Sequence, residues 1–305
     1  MATLKETKGR IESVKGTLKI TSAMKLVASS KLRKAQTAIG NLLPYELKLR
    51  GLMLSLTSSS RLSDLPLLED AERSDSALKA PVAVAAVASN SSLCGAFNSN
   101  VIRETLHRLQ ALKAEGREVV LFCVGRKMAD AMRRNGYEVT TGDWSDLVAR
   151  ADYEECCTLA DTLIQGYLEG RYSRVELIYN HFISTSRQEV RCETYLPLSI
   201  SSLEASGASA ESESGDSVSA VDVDPILEPS PSELFAALLP RALKLNIYTV
   251  MLDSQAAEHA ARTVAMQMAT DNGQKMLSDL TLEYNKARQS KITSEILDIV
   301  GGSLQ

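Results

Sequence analysis

A heptad pattern runs along the first 58 residues of this 305-residue chain. Its seam positions recur at alternating steps of three and four residues, the spacing of a helix packed against another helix. The seam consists of Ile11, Val14, Leu18, Thr21, Lys25, Ala28, Leu32, Ala35, Ile39, Leu42, Glu46, Leu49, Met53 and Leu56. Pro44 lies inside the pattern and predicts a kink there. At about 1.5 Å per residue the helix would be roughly 85 Å long, so it needs a partner helix for much of its length.

A second long helix is predicted at the other end of the chain. From Arg241 to Val300 there is no proline, and Gly273 is the only glycine. The expected seam is Gly273, Met276, Leu280, Glu283, Ala287, Ser290, Ser294 and Leu297. Two long helices at the two ends of one chain pair most simply as an antiparallel coiled coil.

Many of these seam positions are small or polar, whereas a stable two-stranded coiled coil prefers Leu and Ile. Thr21, Ala35 and Ser290 are examples. Two interpretations remain open. The helices form a marginal hairpin buried in a larger bundle, or they form a shaft that another protein encloses.

The middle of the chain alternates predicted strands and helices, which indicates a parallel or mixed sheet. Strands are expected at 81–89, 118–124, 137–140, 174–184 and 188–198, and helices at 100–114, 126–134 and 153–168. The predicted fold class is therefore α/β: a long antiparallel coiled coil of the N- and C-terminal helices plus a central Rossmann-like α/β domain.

Four regions follow from these patterns. They are an N-terminal shaft helix (1–58), a central α/β domain (80–198), a Ser-rich acidic insertion (199–230) and a C-terminal shaft helix (233–305). Between Cys192 and Pro240 there are nine Asp or Glu and no Lys or Arg. Because Ser199–Asp224 is short of large apolar residues, we expect the insertion to be mobile.

Composition excludes several classes of protein. The net charge of −4, the 5% aromatic content and the single tryptophan argue against a nucleic-acid binder. No run of eighteen apolar residues and no targeting segment is present. Five cysteines, an odd number without metal-like spacing, suggest a reducing compartment.

The loop after the first predicted strand is the main candidate for chemistry. It contains Leu93, Cys94, Gly95 and Asn98, at a position where α/β folds often bind phosphates. It lacks a glycine-rich nucleotide motif, so a structural turn is the favoured interpretation. A nucleophilic Cys94 is the alternative, although no histidine lies nearby in sequence. We expect no cofactor, no metal and no catalytic residue.

Charge is more informative at the N-terminus. Residues 1–36 contain nine Lys or Arg and two acidic residues. A basic helix can follow phosphates or contact an acidic protein surface, and the low aromatic content favours a protein partner. On the central domain we expect Glu104 and Arg108 to be exposed.

Three segments together resemble the gamma subunits of F-type ATP synthases. They are RIESVKGTLKITSAMKLVASSKLRKAQ near the N-terminus, SLCGAFN after the first strand and EYNKARQSKITSEILDIVGG near the C-terminus. They occur in the order of that family and cover nearly the whole chain. One departure is local: the family usually carries Asp-Arg before Gly-Leu-Cys-Gly, and this chain has Asn90, Ser91 and Ser92 at the corresponding positions before Leu93.

The resemblance implies a rotor shaft without catalytic residues, which couples ion-driven rotation of a membrane ring to conformational change at catalytic beta subunits. It implies alpha and beta subunits as partners along the shaft, and an epsilon subunit and the membrane c-ring at its foot. Carried over as contacts to beta subunits are Met24, Arg288, Gln289, Thr293 and Glu295. Lys25 and Lys31 are added on charge alone.

The expected location is the cytoplasmic face of a bacterial inner membrane, as a peripheral subunit; a mature organellar form is also compatible with the sequence. Two other functions remain open. One is an α/β nucleotide- or phosphate-binding enzyme that dimerises through its helical arms, and the other is a basic helical nucleic-acid adaptor.

Overall fold

The computed structural model describes residues 4–59, 67–68, 79–139, 144–199, 228 and 230–302. Its elements, in chain order, are α1 (Leu4–Ser59), β1 (Val82–Val87), α2 (Phe97–Ala114), β2 (Val119–Val124), α3 (Arg126–Arg134), α4 (Ser145–Arg150), α5 (Tyr153–Leu168), β3 (Arg174–Phe182), β4 (Gln188–Leu196) and α6 (Pro231–Gly302). The predicted α/β fold with two long terminal helices is confirmed. Apart from residues 199, 228 and 230, the predicted insertion lies outside the described residues.

The described chain forms two compact units. The first unit comprises Met1–Ser30 and Arg262–Gln305, and the second comprises Lys31–Ala261. Each long helix contributes one part to each unit.

In the second unit, four strands form one mixed sheet in the order β2-β1-β3-β4. β1 pairs in parallel with β2, where Val82 lies opposite Val119, and in parallel with β3, where Val82 lies opposite Arg174. β3 and β4 form an antiparallel hairpin that closes with Phe182 opposite Gln188. The prediction of a strand at 137–140 is wrong for residues 137–139, which have no regular secondary structure. This short segment has only Tyr137 and Val139 as apolar residues, which are too few to specify a strand.

Helices cover both faces of this sheet, and the central strand β1 is therefore buried along its whole length. Ala83, Ala85 and Val87 face a core shared with α1, α5 and α6. Val82 and Val84 face a second core formed with α2 and α3. Period-two alternation within an apolar strand therefore fills two cores at once.

Helix α6 contains an 18-residue window with a mean hydropathy of 1.2, so by length and composition it could cross a membrane. Its apolar side chains have another role in this fold. Phe235, Leu239 and Leu243 are at most 3% exposed and pack in the core on one face of the sheet.

Both prolines inside the long helices are tolerated without ending them. Helix α1 continues through Pro44, and α6 continues through Pro240. A proline at position 44 leaves the carbonyl of Gly40 without its helical donor. Gly40 and Pro44 are both exposed, so water can hydrogen-bond to the Gly40 carbonyl.

Arg108 is not an exposed surface residue, so that expectation was wrong. Its guanidinium forms two hydrogen bonds of 2.7 Å to the carboxylate of Glu176 on β3, and Arg174 contacts the same carboxylate at 2.7 Å. The Glu176 residue is only 2% exposed. The hydrogen bond to Glu176 raises the pKa of Arg108 above its ordinary value. Spacing on α2 did not reveal a partner 68 residues further along the chain.

Candidate partner-contact surface

The first unit is built by close antiparallel packing of α1 on α6. The Thr270 hydroxyl donates a hydrogen bond of 3.0 Å to the Thr21 hydroxyl. A β-carbon added at Gly273 would lie 2.8 Å from Leu18 Cδ2, so the glycine leaves room for that leucine. The small and polar seam residues thus let the helices pack closely.

The predicted α1 seam agrees with the observed burial. All 14 of its positions are buried or half-buried along the helix. The α6 seam was only partly predicted. Gly273, Leu280 and Ala287 are half-buried as expected, but Leu277 and Tyr284 replace the exposed Met276 and Glu283. From Gly273 onward the half-buried residues are spaced four and then three residues apart, whereas the prediction placed the three-residue step first.

Beyond Ala287 the α6 helix runs past the start of α1. Leu18 lies opposite Gly273 and Thr21 opposite Thr270, so Leu4 falls opposite residues close to Ala287. Residues 288–297 are exposed in the described chain. The predicted seam positions Ser290, Ser294 and Leu297 therefore have no α1 residue of the described chain opposite them.

Four of the predicted contact residues lie on this unpaired extension of α6. Arg288 and Gln289 are exposed, and the Thr293 hydroxyl donates a 2.9 Å hydrogen bond to the Gln289 carbonyl. Glu295 is 3.6 Å from Lys291 in an exposed i,i+4 ion pair. Such a pair contributes only about 0.3–0.5 kcal/mol, so these side chains are available to a partner.

The other predicted contacts are elsewhere. Met24 and Lys25 are half-buried on the α1 helix of the first unit, and Lys31 is exposed at the start of the second unit. By the pairing above, Met24 lies opposite residues near 267 of α6. That position and Arg288 are about 30 Å apart along the helix. The structure thus places the predicted residues in two zones.

Most of the exposed apolar side chains were missed by the sequence analysis. Ten of the 17 large apolar residues that are most exposed in the described chain belong to the first unit, although the second contains about three times as many residues. They are Ile20, Leu26, Val27, Met268, Met276, Leu282, Ile292, Ile296, Leu297 and Ile299. Leu282 and Ile299 are each 72% exposed. The signal in the sequence was apolar residues at positions outside the helix–helix seam. Exposed apolar surface of this kind is typical of protein-binding sites.

The loop after β1 is held by side-chain hydrogen bonds. Asn98 accepts a hydrogen bond from the Ser89 backbone N–H at 3.0 Å and donates to the Ser91 carbonyl at 3.2 Å. Leu93 and Gly95 have positive φ values of 67° and 59°. Cys94 is 2% exposed and packs with Phe97 and Ala257. These contacts are those of a structural turn.

Asn90 occupies the edge of the sheet where α/β folds often bind phosphates. Its Oδ1 accepts a 3.0 Å hydrogen bond from the backbone N–H of Arg126 at the start of α3, and its amide donates to the Ser145 carbonyl. The preceding Gly125 has a φ of 98°, and a β-carbon there would clash with the Ala88 carbonyl oxygen. The departure from the Asp-Arg pattern thus places an internal hydrogen-bonding residue at this edge.

No group of three or more His, Cys, Asp or Glu residues in the described parts of the chain could hold a metal ion. All five cysteines are described, and each is a free thiol. Burial raises the pKa of Cys123 and of Cys156 to about 12, so neither is an activated nucleophile.

An α/β domain joined to two long, partly unpaired terminal helices defines a shaft-type subunit of a larger assembly. A family model described as ATP synthase matches residues 3–304. The chain is 45% identical to the ATP synthase gamma chain of Phocaeicola vulgatus over 305 residues, covering 100% of both chains. It is also 45% identical to that of Bacteroides thetaiotaomicron over 311 residues, again covering 100% of both.

A solved structure has the same fold. A chain of the Euglena gracilis mitochondrial ATP synthase, from the structure of its rotor, matches with a TM-score of 0.57 and 18% identity, over 95% of this chain and 98% of that chain. The chain belongs to the ATP synthase gamma chain family, and the resemblance seen in the sequence is confirmed.

Proposed function

We propose that this chain is the central rotor shaft of an F-type ATP synthase. It couples ion-driven rotation of a membrane ring to conformational change at the catalytic beta subunits, and it is a non-catalytic subunit of that complex. The observation that carries this proposal is the first unit, whose helices expose large apolar residues together with an unpaired charged end. The kinship with ATP synthase gamma chains identifies the assembly that would cover them.

A shaft can change the state of a neighbouring subunit only if it contacts the alternative states differently. The α6 extension has unlike sides. Ile292 and Ile296 lie on one side of the helix, and Ser290 and Ser294 lie on the opposite side. When such a helix turns inside a ring of equivalent subunits, each subunit meets these sides in sequence. The three catalytic sites are thereby driven through their states in order.

The likeness to ATP synthase gamma chains supports a set of partners for this chain. The alpha and beta subunits would surround the two terminal helices, with Met24, Lys25 and Lys31 in one contact zone and residues 288–295 in the other. An epsilon subunit and the membrane c-ring would meet the foot of the shaft. The chain would then be a peripheral subunit on the cytoplasmic face of a bacterial inner membrane.

The distribution of exposed residues along the shaft suits rotation. Large anchoring residues at an interface create deep local minima of binding energy, and these would resist turning. The large exposed apolar residues of the first unit are instead distributed along the shaft, from Ile20 to Val27 on α1 and from Met268 to Ile299 on α6.

Reconstitution with separately purified alpha and beta subunits tests the proposal. The full chain should raise steady-state ATP hydrolysis of the alpha–beta ring, and the chain alone should hydrolyse no ATP. A chain that ends at Ala287 should bind the ring more weakly, because it lacks the unpaired extension. Turnover by the isolated chain that disappears in Cys94→Ala would instead support the enzyme alternative.

A further inference from the structure

A groove of about 710 Å³ lies between α2 and α3 on the second unit. Ile102, Leu106 and Ala131 line it with apolar groups, and Arg103, His107 and Arg134 line it with basic groups. Leu106 and Ile102 are half-buried and belong to the edge of the core beneath. We call this surface the basic groove.

Its arginines are available for a ligand. Arg103 donates to the side-chain oxygen of Asn100 at 3.3 Å, and Arg134 donates to the backbone carbonyl of Asp130 at 3.1 Å. Neither forms an ion pair within the described residues. The carboxylate of Glu104 lies 3.8 Å from Nδ1 of His107, and that of Asp130 lies 4.0 Å from Arg133.

The charge of this region is opposite to that of the whole chain. Residues 97–136 contain eight Lys or Arg and four Asp or Glu, whereas the chain has a net charge of −4. A region with this composition attracts an acidic partner by long-range electrostatics.

We propose that the basic groove binds an acidic helical segment of a partner polypeptide. Two neighbouring helices with an apolar floor between them accept the apolar side of a third helix. Arg103 and Arg134 would then bind carboxylates on either side of it, because the planar guanidinium matches a carboxylate with two parallel hydrogen bonds. A lipid surface is less well matched, since the apolar residues lie in a groove and do not project from the domain.

The test measures binding of a labelled 18-residue peptide to the full chain by fluorescence anisotropy. The peptide carries Leu at helical i, i+4 spacing and Glu elsewhere. A second peptide has Ala in place of Leu, and a third has Lys in place of Glu. The groove variant is Arg103→Glu with Arg134→Glu. The matched control is Lys113→Glu with Arg126→Glu, which changes the net charge equally on exposed residues outside the groove lining.

The Glu/Leu peptide should bind the wild-type chain. Its Kd should be at least tenfold higher for the groove variant, and it should change less than twofold for the control variant. The Ala and Lys peptides should bind at least tenfold more weakly. Equal losses in both variants would overturn the proposal, as would absence of binding. If only phosphatidylglycerol vesicles bind, and that binding is lost in the groove variant alone, the groove is a lipid site. The outcome is independent of the rotor proposal, which concerns the terminal helices.

Discussion

Removing two polar side chains from the unpaired end of α6 should uncouple the shaft without unfolding it. The change is Arg288→Ala together with Gln289→Ala. Both side chains are exposed in the described chain, so we expect the free energy of unfolding of the isolated chain to change by less than about 0.5 kcal/mol.

The functional cost is larger because the contacts concerned are made to a partner. A neutral hydrogen bond contributes about 0.5–1.5 kcal/mol, and one to a charged group about 1.5–3 kcal/mol. If roughly half of that sum differs between the states of a beta subunit, the barrier rises by about 1.4 kcal/mol, which is a tenfold loss of rate. We therefore expect multisite ATP hydrolysis of the reconstituted complex to fall about tenfold.

Arg150→Ala with Gln165→Ala is the matched control, because it removes the same two side-chain types from exposed positions of the second unit. Arg108 is unsuitable, since its loss would leave Glu176 partly unpaired. Assembly is checked by gel filtration of the complex. If the α6 pair assembles normally and retains turnover within twofold of the wild type, these residues are not the coupling contacts.

Three further predictions concern the central domain. Glu176→Ala should lower the free energy of unfolding in urea by about 3–5 kcal/mol, because two arginines lose their carboxylate; Glu169→Ala, at an exposed ion pair, should cost under about 1 kcal/mol. Burial and, secondarily, Glu176 raise the pKa of Cys192 to about 11, so its native alkylation should accelerate about tenfold per unit from pH 8 to 10; a plateau in that range would contradict the shift. Gly125→Ala should destabilise the fold, because Gly125 has a positive φ and a β-carbon there would clash with the Ala88 carbonyl; a lowered melting temperature would show it.

The sequence predicted the regular elements well where their pattern was long or their boundaries were marked. Helix α3 and helix α5 have the predicted bounds, and the α1 seam has the predicted burial. A repeat of fourteen positions averages out the ambiguity of any single residue. The short segment at 137–139 had no such repeat, so its strand prediction failed.

Contacts between distant segments were harder to predict. The ion pairs of Glu176, and the hydrogen bond that the Arg126 N–H at the start of α3 donates to Asn90, depend on how strands and helices meet. Spacing along a helix or strand carries no information about them. The same reason explains why the α6 seam was only partly predicted. The paired region of α6 ends where α1 begins on the opposite helix, and the sequence of α6 alone does not contain that information.

Helices α1 and α6 each pass from one unit into the other without a break, which restricts how their lengths can change in evolution. Adding one residue beside Ser29 would rotate all earlier side chains of α1 by about 100° relative to the later ones. Either Thr21 would leave α6 in the first unit, or Leu32 would leave Ala256 in the second. An insertion of seven residues, two turns, keeps both faces approximately in place. It also moves Thr21 about 10 Å along α6, so α6 would need a matching insertion. Among relatives, length differences should therefore accumulate between elements, and within these helices they should occur in steps of seven.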